Sequence, residues 1–217
     1  SIRKGSHSFF SASKLLPKNI RDPAVVLYAF CRLADDSVDQ KGAPNDAVDI
    51  LRERLDKAYA GKPINESVDR AFASLIVLSE MPRALPEALL EGMEWDSANL
   101  KYETLSDLHA YSARVASAVG VMMCVLMNVR DKDVLARACD LGAAMQLTNI
   151  ARDIGEDARN GRLYIPLRWM AEEGLDINRF LNNPEPGKRV GRIAKRLLAE
   201  AERLYSRAEA GLSELPF

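Results

Sequence analysis

Residues 141–157 read LGAAMQLTNIARDIGED and combine a small, apolar helix with a stripe of polar side chains. Gln146, Asn149, Asp153 and Asp157 recur at spacings of three, four and four residues, which places them on one face of an α-helix. The other positions are mostly small or apolar, as in a helix packed inside a protein. A polar stripe on such a helix must face something polar, so this stretch predicts a helix that borders a polar site.

Helical patterns fill the rest of the chain, and signals for strands and hairpin turns are nearly absent. Asp22 and Pro23 predict a helix start, as an N-cap followed by proline in the first turn, and Asp46 predicts another N-cap. Connections are short, and no Ser/Gly/Pro-rich linker divides the chain. We therefore predict one all-α domain over residues 1–217, packed as a bundle, with helices at about 23–40, 46–61, 66–80, 86–99, 105–128, 131–156, 166–173 and 187–213.

The composition is that of a globular protein without a strong charge bias. The 217 residues carry a net charge of -1, from 30 Lys and Arg against 31 Asp and Glu, which makes nucleic-acid binding a poor hypothesis. The three cysteines form no CxxC pair and favour reduced thiols in a cytoplasm-like compartment. The longest nearly apolar stretch, 115–129, is shorter than the roughly 20 residues that span a bilayer, so we expect a soluble or peripheral protein.

A second pair of carboxylates, Asp35 and Asp39, lies four residues apart near the end of the first predicted helix. Like charges at this spacing destabilise a helix by roughly 0.2–0.5 kcal/mol, and a solvated helix end is the simplest explanation for one such pair. Two Asp-x3-Asp pairs on two helices instead suggest carboxylates that face each other across a cavity and bind a hard cation such as Mg²⁺. Zinc and di-iron sites are disfavoured, because the sequence contains no Cys/His cluster and no Glu-x-x-His pair.

A phosphorylated ligand is expected at this cavity, because Mg²⁺ commonly completes its shell with phosphate oxygens. Arg32 and Arg152 adjoin the two acidic motifs and are the preferred candidates to hold its phosphates. The sequence has no Walker-type or GxGxxG motif, so a nucleotide-binding fold is not supported. The apolar helix around residues 111–126 predicts a core helix, and its small residues and methionines are also compatible with a tunnel for a lipid tail.

Several segments along the chain match a known set of motifs. The matching segments are Ser6-His7-Ser8-Phe9, Leu15-Leu16-Pro17, Tyr28-Ala29-Phe30-Cys31-Arg32, Asp35-Asp36-Ser37-Val38-Asp39, Arg114-Val115-Ala116, Val119-Gly120, residues 146–157 and residues 161–166. Together they resemble the squalene/phytoene synthase family, and most closely its bacterial phytoene synthases. The resemblance extends over nearly the whole chain, and the last two blocks are highly specific.

The resemblance implies an all-α isoprenoid-synthase fold with a central cavity, and a prenyl transferase that joins two prenyl diphosphates head to head. It implies that Mg²⁺, which Mn²⁺ could replace, is held by Asp35, Asp39, Asn149, Asp153 and Asp157. Further catalytic residues implied by it are Arg32, Arg152, Tyr28 and Tyr164. The implied substrate-binding residues are Ser8, Phe9, Tyr111, Ala116, Val119, Gly120, Gln146 and Asn149. No nicotinamide cofactor is expected.

Our first hypothesis is the condensation of two geranylgeranyl diphosphates to phytoene in carotenoid biosynthesis, through a cyclopropylcarbinyl diphosphate. A squalene or dehydrosqualene synthase acting on farnesyl diphosphate is the alternative. The length of the tunnel for the prenyl chain would distinguish the two substrates. A head-to-tail prenyl transferase would fit the first acidic motif and not the second. The same fold could also serve as an inactive assembly protein, but that reading predicts loss of metal carboxylates, and all four aspartates are present.

Two features depart from the family pattern. His7 stands where members often carry lysine, and a surface histidine is the simpler interpretation. The chain is also shorter than typical members, so we expect it to lack the family's C-terminal helices. Because the product would be very apolar, we expect a cytoplasmic protein with peripheral membrane contact.

Overall fold

The structure, a computed structural model, describes residues 16–39 and 46–215. It contains α-helices and no strand within those ranges, which confirms the predicted all-α class. Ser8 and Phe9 lie outside the described residues, as does the side chain of Asp39. The helices are α1 (Lys18–Asp39), α2 (Ala47–Tyr59), α3 (Ser67–Ser79), α4 (Ala84–Ser97), α5 (Leu105–Ser112), α6 (Ala118–Leu126), α7 (Lys132–Arg159), α8 (Leu167–Glu172), α9 (Ile177–Asn182) and α10 (Lys188–Glu209), with a π-helical segment (Ala113–Ser117) and a short 3-10 helix (Leu212–Glu214).

The first helix begins five residues before the predicted start, at Lys18, so the assignment of Asp22 as its N-cap was wrong. The carbonyl of Pro17 accepts the first backbone hydrogen bonds, from the amides of Ile20 and Arg21. Pro23 therefore lies inside the helix, where it lacks the N–H that would continue the ladder. The sequence rule failed because proline was read as a start signal, whereas tertiary packing tolerates one missing bond.

Two other helix starts show what N-cap residues predict and what they do not. Asp46 occupies the predicted N-cap position of α2, but its side chain makes no capping hydrogen bond. The sequence reading missed α9, although its N-cap Asp176 accepts a hydrogen bond from the backbone N–H of Arg179 at 2.7 Å. A six-residue helix is too short to display an apolar period, so only this cap could have revealed it.

The centre of the molecule is the continuous helical run formed by α5, the π-helical segment and α6. A capping box starts this run, because Thr104 and Asp107 exchange hydrogen bonds with each other's backbone N–H. Its 22 residues, Leu105–Leu126, are long and apolar enough to cross a membrane by length and composition, and are longer than the stretch that the sequence suggested. Half of the apolar window is buried inside the protein, as in a core helix.

Two hydrophobic clusters meet along this central run. One joins it to α1–α4 through residues such as Phe72, Met122 and Val125. The other joins it to α7–α10 through residues such as Tyr111 and Leu147. As a result, α7 and α1 both pack on α6, while the main packing partner of α7 is α10. The two helices that carry the acidic motifs are therefore held by the same central element.

Close approach of α7 to the π-helical segment depends on Gly142. A Cβ atom at this position would lie 2.7 Å from the Cα of Ser117 and 2.8 Å from the carbonyl oxygen of Ala116. Ser117 also donates a hydrogen bond to the carbonyl of Cys139 at 2.7 Å, which fixes the same contact. The absence of a side chain at Gly142 thus sets the distance between α7 and the central run.

Candidate active site

The polar stripe of α7 lies at the margin of the core. Gln146, Asn149, Asp153 and Asp157 are partly buried, whereas the residues on the opposite side of the helix are buried in the hydrophobic cluster: Ala143, Ala144, Leu147, Ile150, Ile154 and Ala158. The spacing in the sequence therefore identified the polar, partly buried face of α7.

Burial and a neighbouring negative charge both disfavour ionisation of Asp157, the last carboxylate of this stripe. Burial, and then the charge of Asp153, raise the pKa of Asp157 to about 6, while Arg162 acts in the opposite direction. Arg152 lies beside them and donates from Nε to Oδ1 of Asp153 at 2.8 Å and from Nη2 to Oδ2 at 2.5 Å. Arg152, one of the two arginines predicted to hold phosphates, thus forms an ion pair with an acidic group in this structure.

The end of α7 brings the following loop next to Asp157. Gly161 adopts a left-handed conformation with φ of 74°. Its N–H donates to the carbonyl of Ala158, and the N–H of Arg162 donates to the carbonyl of Asp157, each at 2.9 Å, which is a Schellman motif. This turn places Arg162 and Tyr164 immediately after the acidic stripe.

Tyr164 joins the loop to α4 and α5 through a carboxylate that the sequence reading did not identify. Tyr164 donates from Oη to Oδ1 of Asp96 at 2.8 Å, and Tyr111 donates from Oη to Oδ2 of the same residue at 2.8 Å. Arg162 donates from Nη1 to the Oη of Tyr164 at 3.3 Å. Asp96 lies in the last turn of α4, where an acidic residue opposes the helix dipole, and this was the available signal.

Aromatic rings surround this carboxylate. The ring centroids of Tyr111 and Tyr164 are 5.2 Å apart, and that of Tyr102 lies 5.1 Å from Tyr111 and 6.3 Å from Tyr164. Burial, followed by the negative charge of Asp96, raises the pKa of all three phenols above the ordinary tyrosine value. The phenols therefore keep their protons at neutral pH.

The two tyrosines of this cluster differ in accessibility. Tyr111 is only 3% exposed, and its single hydroxyl proton is donated to Asp96. Tyr164 is partly exposed. The implied contact between Tyr111 and substrate stays a prediction, and in this structure the phenol donates its proton to the carboxylate of Asp96.

The first acidic motif lies on α1. Arg32 donates from Nε to Oδ2 of Asp36 at 2.8 Å and also interacts with Tyr28 one turn earlier. Asp35 is partly buried, and Asp39 is the last residue of α1. The described parts of α1 and α7 are both in contact with α6, but they do not pack closely on each other. That the two acidic pairs face one another stays a prediction.

The small residues predicted to line a tunnel lie along the central helical run. Ala116 and Val119 are partly buried, and Val119 packs against the hydrophobic cluster of α1–α4. A Cβ atom at Gly120 would lie 3.1 Å from the carbonyl oxygen of Ala138, so this glycine contributes to the packing of α6 on α7. A cavity of about 790 Å³ lies elsewhere, between the start of α7 and the residues after α10.

The donor set of α7 fits a divalent cation. Asp153 and Asp157 supply hard carboxylate oxygens whose mutual repulsion a cation would relieve, and Asn149 adds an amide oxygen one turn earlier. Among residues 16–38 and 46–215, no group of three or more acidic, histidine or cysteine side chains could hold a metal by itself. Mg²⁺ commonly completes its shell with water and substrate oxygens, so further ligands would come from these and from the first acidic motif.

Comparisons with known proteins identify relatives of this chain. The family profile of squalene/phytoene synthase matches residues 2–217. The phytoene synthases of Rhodobacter capsulatus and Cereibacter sphaeroides are 60% and 57% identical to the chain, covering 100% and 99% of it. The chain spans 65% and 63% of the length of these two relatives.

Solved structures show the same fold. A dehydrosqualene synthase in complex with ligand superposes with a TM-score of 0.89 at 32% identity, over 99% of this chain and 75% of that one. A squalene synthase from Alicyclobacillus acidocaldarius gives a TM-score of 0.87 at 25% identity, over 95% of this chain and 79% of that one. The predicted isoprenoid-synthase fold is confirmed, and the chain belongs to the squalene/phytoene synthase family.

Proposed function

We propose that this chain forms the diphosphate-binding core of a prenyl transferase that condenses two geranylgeranyl diphosphates to phytoene in carotenoid biosynthesis. The observation that carries the proposal is the partly buried acidic stripe of α7, which continues into Arg162 and the tyrosine cluster. The geranylgeranyl substrate is supported by relatives named phytoene synthase at 57% and 60% identity.

The proposed reaction starts with departure of diphosphate from an allylic carbon. Prenyl transferases of this family generally need a divalent metal, and we propose that Asn149, Asp153 and Asp157 hold Mg²⁺ together with the first acidic motif. Such a cation would neutralise charge that develops on the leaving group. Arg152 is 65% exposed, so its guanidinium is free to turn from Asp153 toward a bound diphosphate.

The allylic cation that remains must be protected from water until the second prenyl chain reacts. The partly exposed ring of Tyr164, backed by the buried rings of Tyr102 and Tyr111, forms an aromatic wall close to the acidic end of α7. Aromatic faces stabilise a nearby cation by about 0.5–2 kcal/mol and exclude water. We propose that this wall directs the first condensation to the cyclopropylcarbinyl diphosphate and the second ionisation to the hydrocarbon.

A second candidate function uses farnesyl diphosphate. It is favoured by one observation, the similarity to a dehydrosqualene synthase with a TM-score of 0.89. Because both reactions need the same groups around the diphosphate, the polar residues described above serve either substrate. The length of the apolar tunnel would decide between them.

Product analysis tests the proposal. The purified protein is incubated with Mg²⁺ and either geranylgeranyl or farnesyl diphosphate, and the hydrocarbons are identified by mass spectrometry. Phytoene from the first substrate is expected, and its loss on chelation would support the metal. Dehydrosqualene or squalene as the main product would favour the second candidate, and chain extension that requires isopentenyl diphosphate would refute head-to-head condensation.

Removal of a carboxylate tests the acidic motifs. Asp35→Ala and Asp153→Ala are each expected to abolish turnover with little change in helicity by circular dichroism, because the metal and diphosphate would lose a ligand. Asp133→Ala is the control, since it removes an exposed carboxylate from the first turn of the same helix as Asp153. Full activity of either test variant contradicts the metal assignment. An intact fold without activity in the unaltered protein would instead favour a non-catalytic assembly protein.

Peripheral membrane contact and a cytoplasmic location also remain part of this proposal. They are supported by the apolar character of the proposed product, which must leave the protein for a lipid phase. Flotation of the protein with phospholipid vesicles is the direct test, and complete recovery in the vesicle-free fraction would contradict membrane contact.

A further inference from the structure

The hydrogen bonds around Asp96 determine the direction of two phenol protons. A tyrosine hydroxyl carries one proton, and a carboxylate can only accept hydrogen bonds. Tyr111 and Tyr164 each donate to a different oxygen of Asp96 at 2.8 Å, so neither phenol has a proton left for another acceptor. Both oxygens of the carboxylate are thus used to orient aromatic side chains.

Tyr164 is fixed from a second side as well. Its Oη accepts a hydrogen bond from Nη1 of Arg162 at 3.3 Å while it donates to Asp96. The ring of Tyr111 lies 5.2 Å away, nearly parallel at 24°. Tyr164 is the more exposed of the two phenols, so it is the one that can border a substrate.

We propose that Asp96 is a positioning residue for the reaction, which holds Tyr164 with its hydroxyl engaged and its ring turned toward the prenyl chain. This inference rests on the proposed function and assigns Asp96 no contact with substrate or metal. A hydroxyl that donates its proton to Asp96 cannot donate a hydrogen bond to the diphosphate or to a water molecule near the allylic cation. When Asp96 is removed, the phenol can rotate, and water reaches the cation.

Capture of the cation by water has a distinct product. The water oxygen forms a C–O bond with the allylic carbon, and a proton is released to solvent, which gives a prenyl alcohol and free diphosphate. The ratio of prenyl alcohol to hydrocarbon therefore reports the orientation of Tyr164. A change that only lowers the amount of folded protein leaves this ratio unaltered.

The main test measures this ratio in Asp96→Asn, which preserves the shape of the side chain but gives one tyrosine an N–H instead of an acceptor. Hydrocarbon formation is expected to fall about 100-fold, as for a misplaced reacting group, while diphosphate release continues and prenyl alcohol rises. Glu94→Gln is the matched control, because it neutralises an exposed carboxylate two residues away on the same helix. An unchanged ratio in Asp96→Asn, or an equal change in the control, overturns the proposal.

A double-mutant cycle with Tyr164→Phe tests whether Asp96 acts through the phenol. If it does, Asp96→Asn adds little to the loss already caused by Tyr164→Phe. Losses that simply multiply would show that Asp96 acts on substrate or metal directly. The same cycle is measured on the denaturation midpoint, where the combined shift should differ from the sum of the two single shifts.

The stability cycle separates this inference from the proposed function. A protein that makes no hydrocarbon from either diphosphate would refute the proposed function, yet coupling between Asp96 and Tyr164 in denaturation would still demonstrate the hydrogen bond. Independent, additive midpoint shifts would refute the positioning contact itself, whatever the activity.

Discussion

Replacement of Gly142 by alanine tests the close contact that places α7, and with it the acidic stripe, against the central helical run. An added Cβ would lie 2.7 Å from the Cα of Ser117, which is 0.7 Å short of an ordinary contact, and 2.8 Å from two further backbone atoms. Alanine is a better helix former than glycine by about 1 kcal/mol. Overpacking costs about 1–3 kcal/mol, and backbone atoms cannot rotate away, so the upper end applies.

The net expectation is a loss of about 2 kcal/mol, or roughly 4–8 °C in melting temperature for a chain of this size. Thermal unfolding followed by circular dichroism measures it. Gly155→Ala, on the same helix, is the control, because its nearest neighbour is the flexible end of Arg159 at 3.5 Å. This control should melt about 2–4 °C higher than the unaltered protein. If both substitutions raise the melting temperature, the contact at Gly142 does not limit the packing of α7.

Two further predictions concern ion pairs between helices. Asp69 is 6% exposed and accepts hydrogen bonds from Nε of Arg54 at 3.0 Å and from Nη2 at 2.5 Å. Asp69→Ala should leave the guanidinium without this partner and lower the free energy of unfolding, measured by urea denaturation, by about 3 kcal/mol. Asp49→Ala, at an exposed position of α2, is its control, and equal losses would contradict the prediction. Hydrogen bonds from Arg203, and then from His109 of α5, lower the pKa of Glu200. Ionised Glu200 therefore stabilises the folded protein above the pKa of the unfolded state, near 4.5. This stabilisation disappears as the pH falls through the lower pKa of the folded state. Glu200→Gln should therefore lower the free energy of unfolding at neutral pH. The difference in that free energy between neutral pH and about pH 4 should become smaller, and an unchanged difference would refute the prediction.

Local periodicity is the part of this fold that the sequence discloses most directly. The stripe of α7 follows from spacings of three and four residues, because side chains at those intervals share a helix face whatever the tertiary structure. The predicted start of α1 was five residues too late. A proline can begin a helix or lie inside one, and tertiary packing decides which of the two occurs at Pro23. The π-helical segment at residues 113–117 has no pattern of its own in the sequence, since one extra residue in a turn leaves both neighbouring helices amphipathic.

Contacts between distant segments could not be read in the same way. Asp96 bonds to residues 15 and 68 positions away, and nothing near it in the sequence carries a spacing that pairs it with them. Gly142 likewise matters only because the backbone of residues 116 and 117 lies against it. The resemblance to the family supplied the tyrosines, and the structure was needed to find the carboxylate that orients them.

The arrangement of the end of α7 follows a requirement of the proposed chemistry. Ionisation of an allylic diphosphate separates an anion from a cation, and the two must be stabilised by different groups that nevertheless lie close together. Asp157 and Tyr164 are seven residues apart, and the Schellman turn at Gly161 returns the chain so that Arg162 interacts with both. The cationic guanidinium thus lies between the acidic stripe and the aromatic wall. Diphosphate is expected with the metal on the acidic side of this guanidinium, and the hydrocarbon on its aromatic side. A single turn thus keeps the leaving group close to the allylic cation while different groups surround each of them.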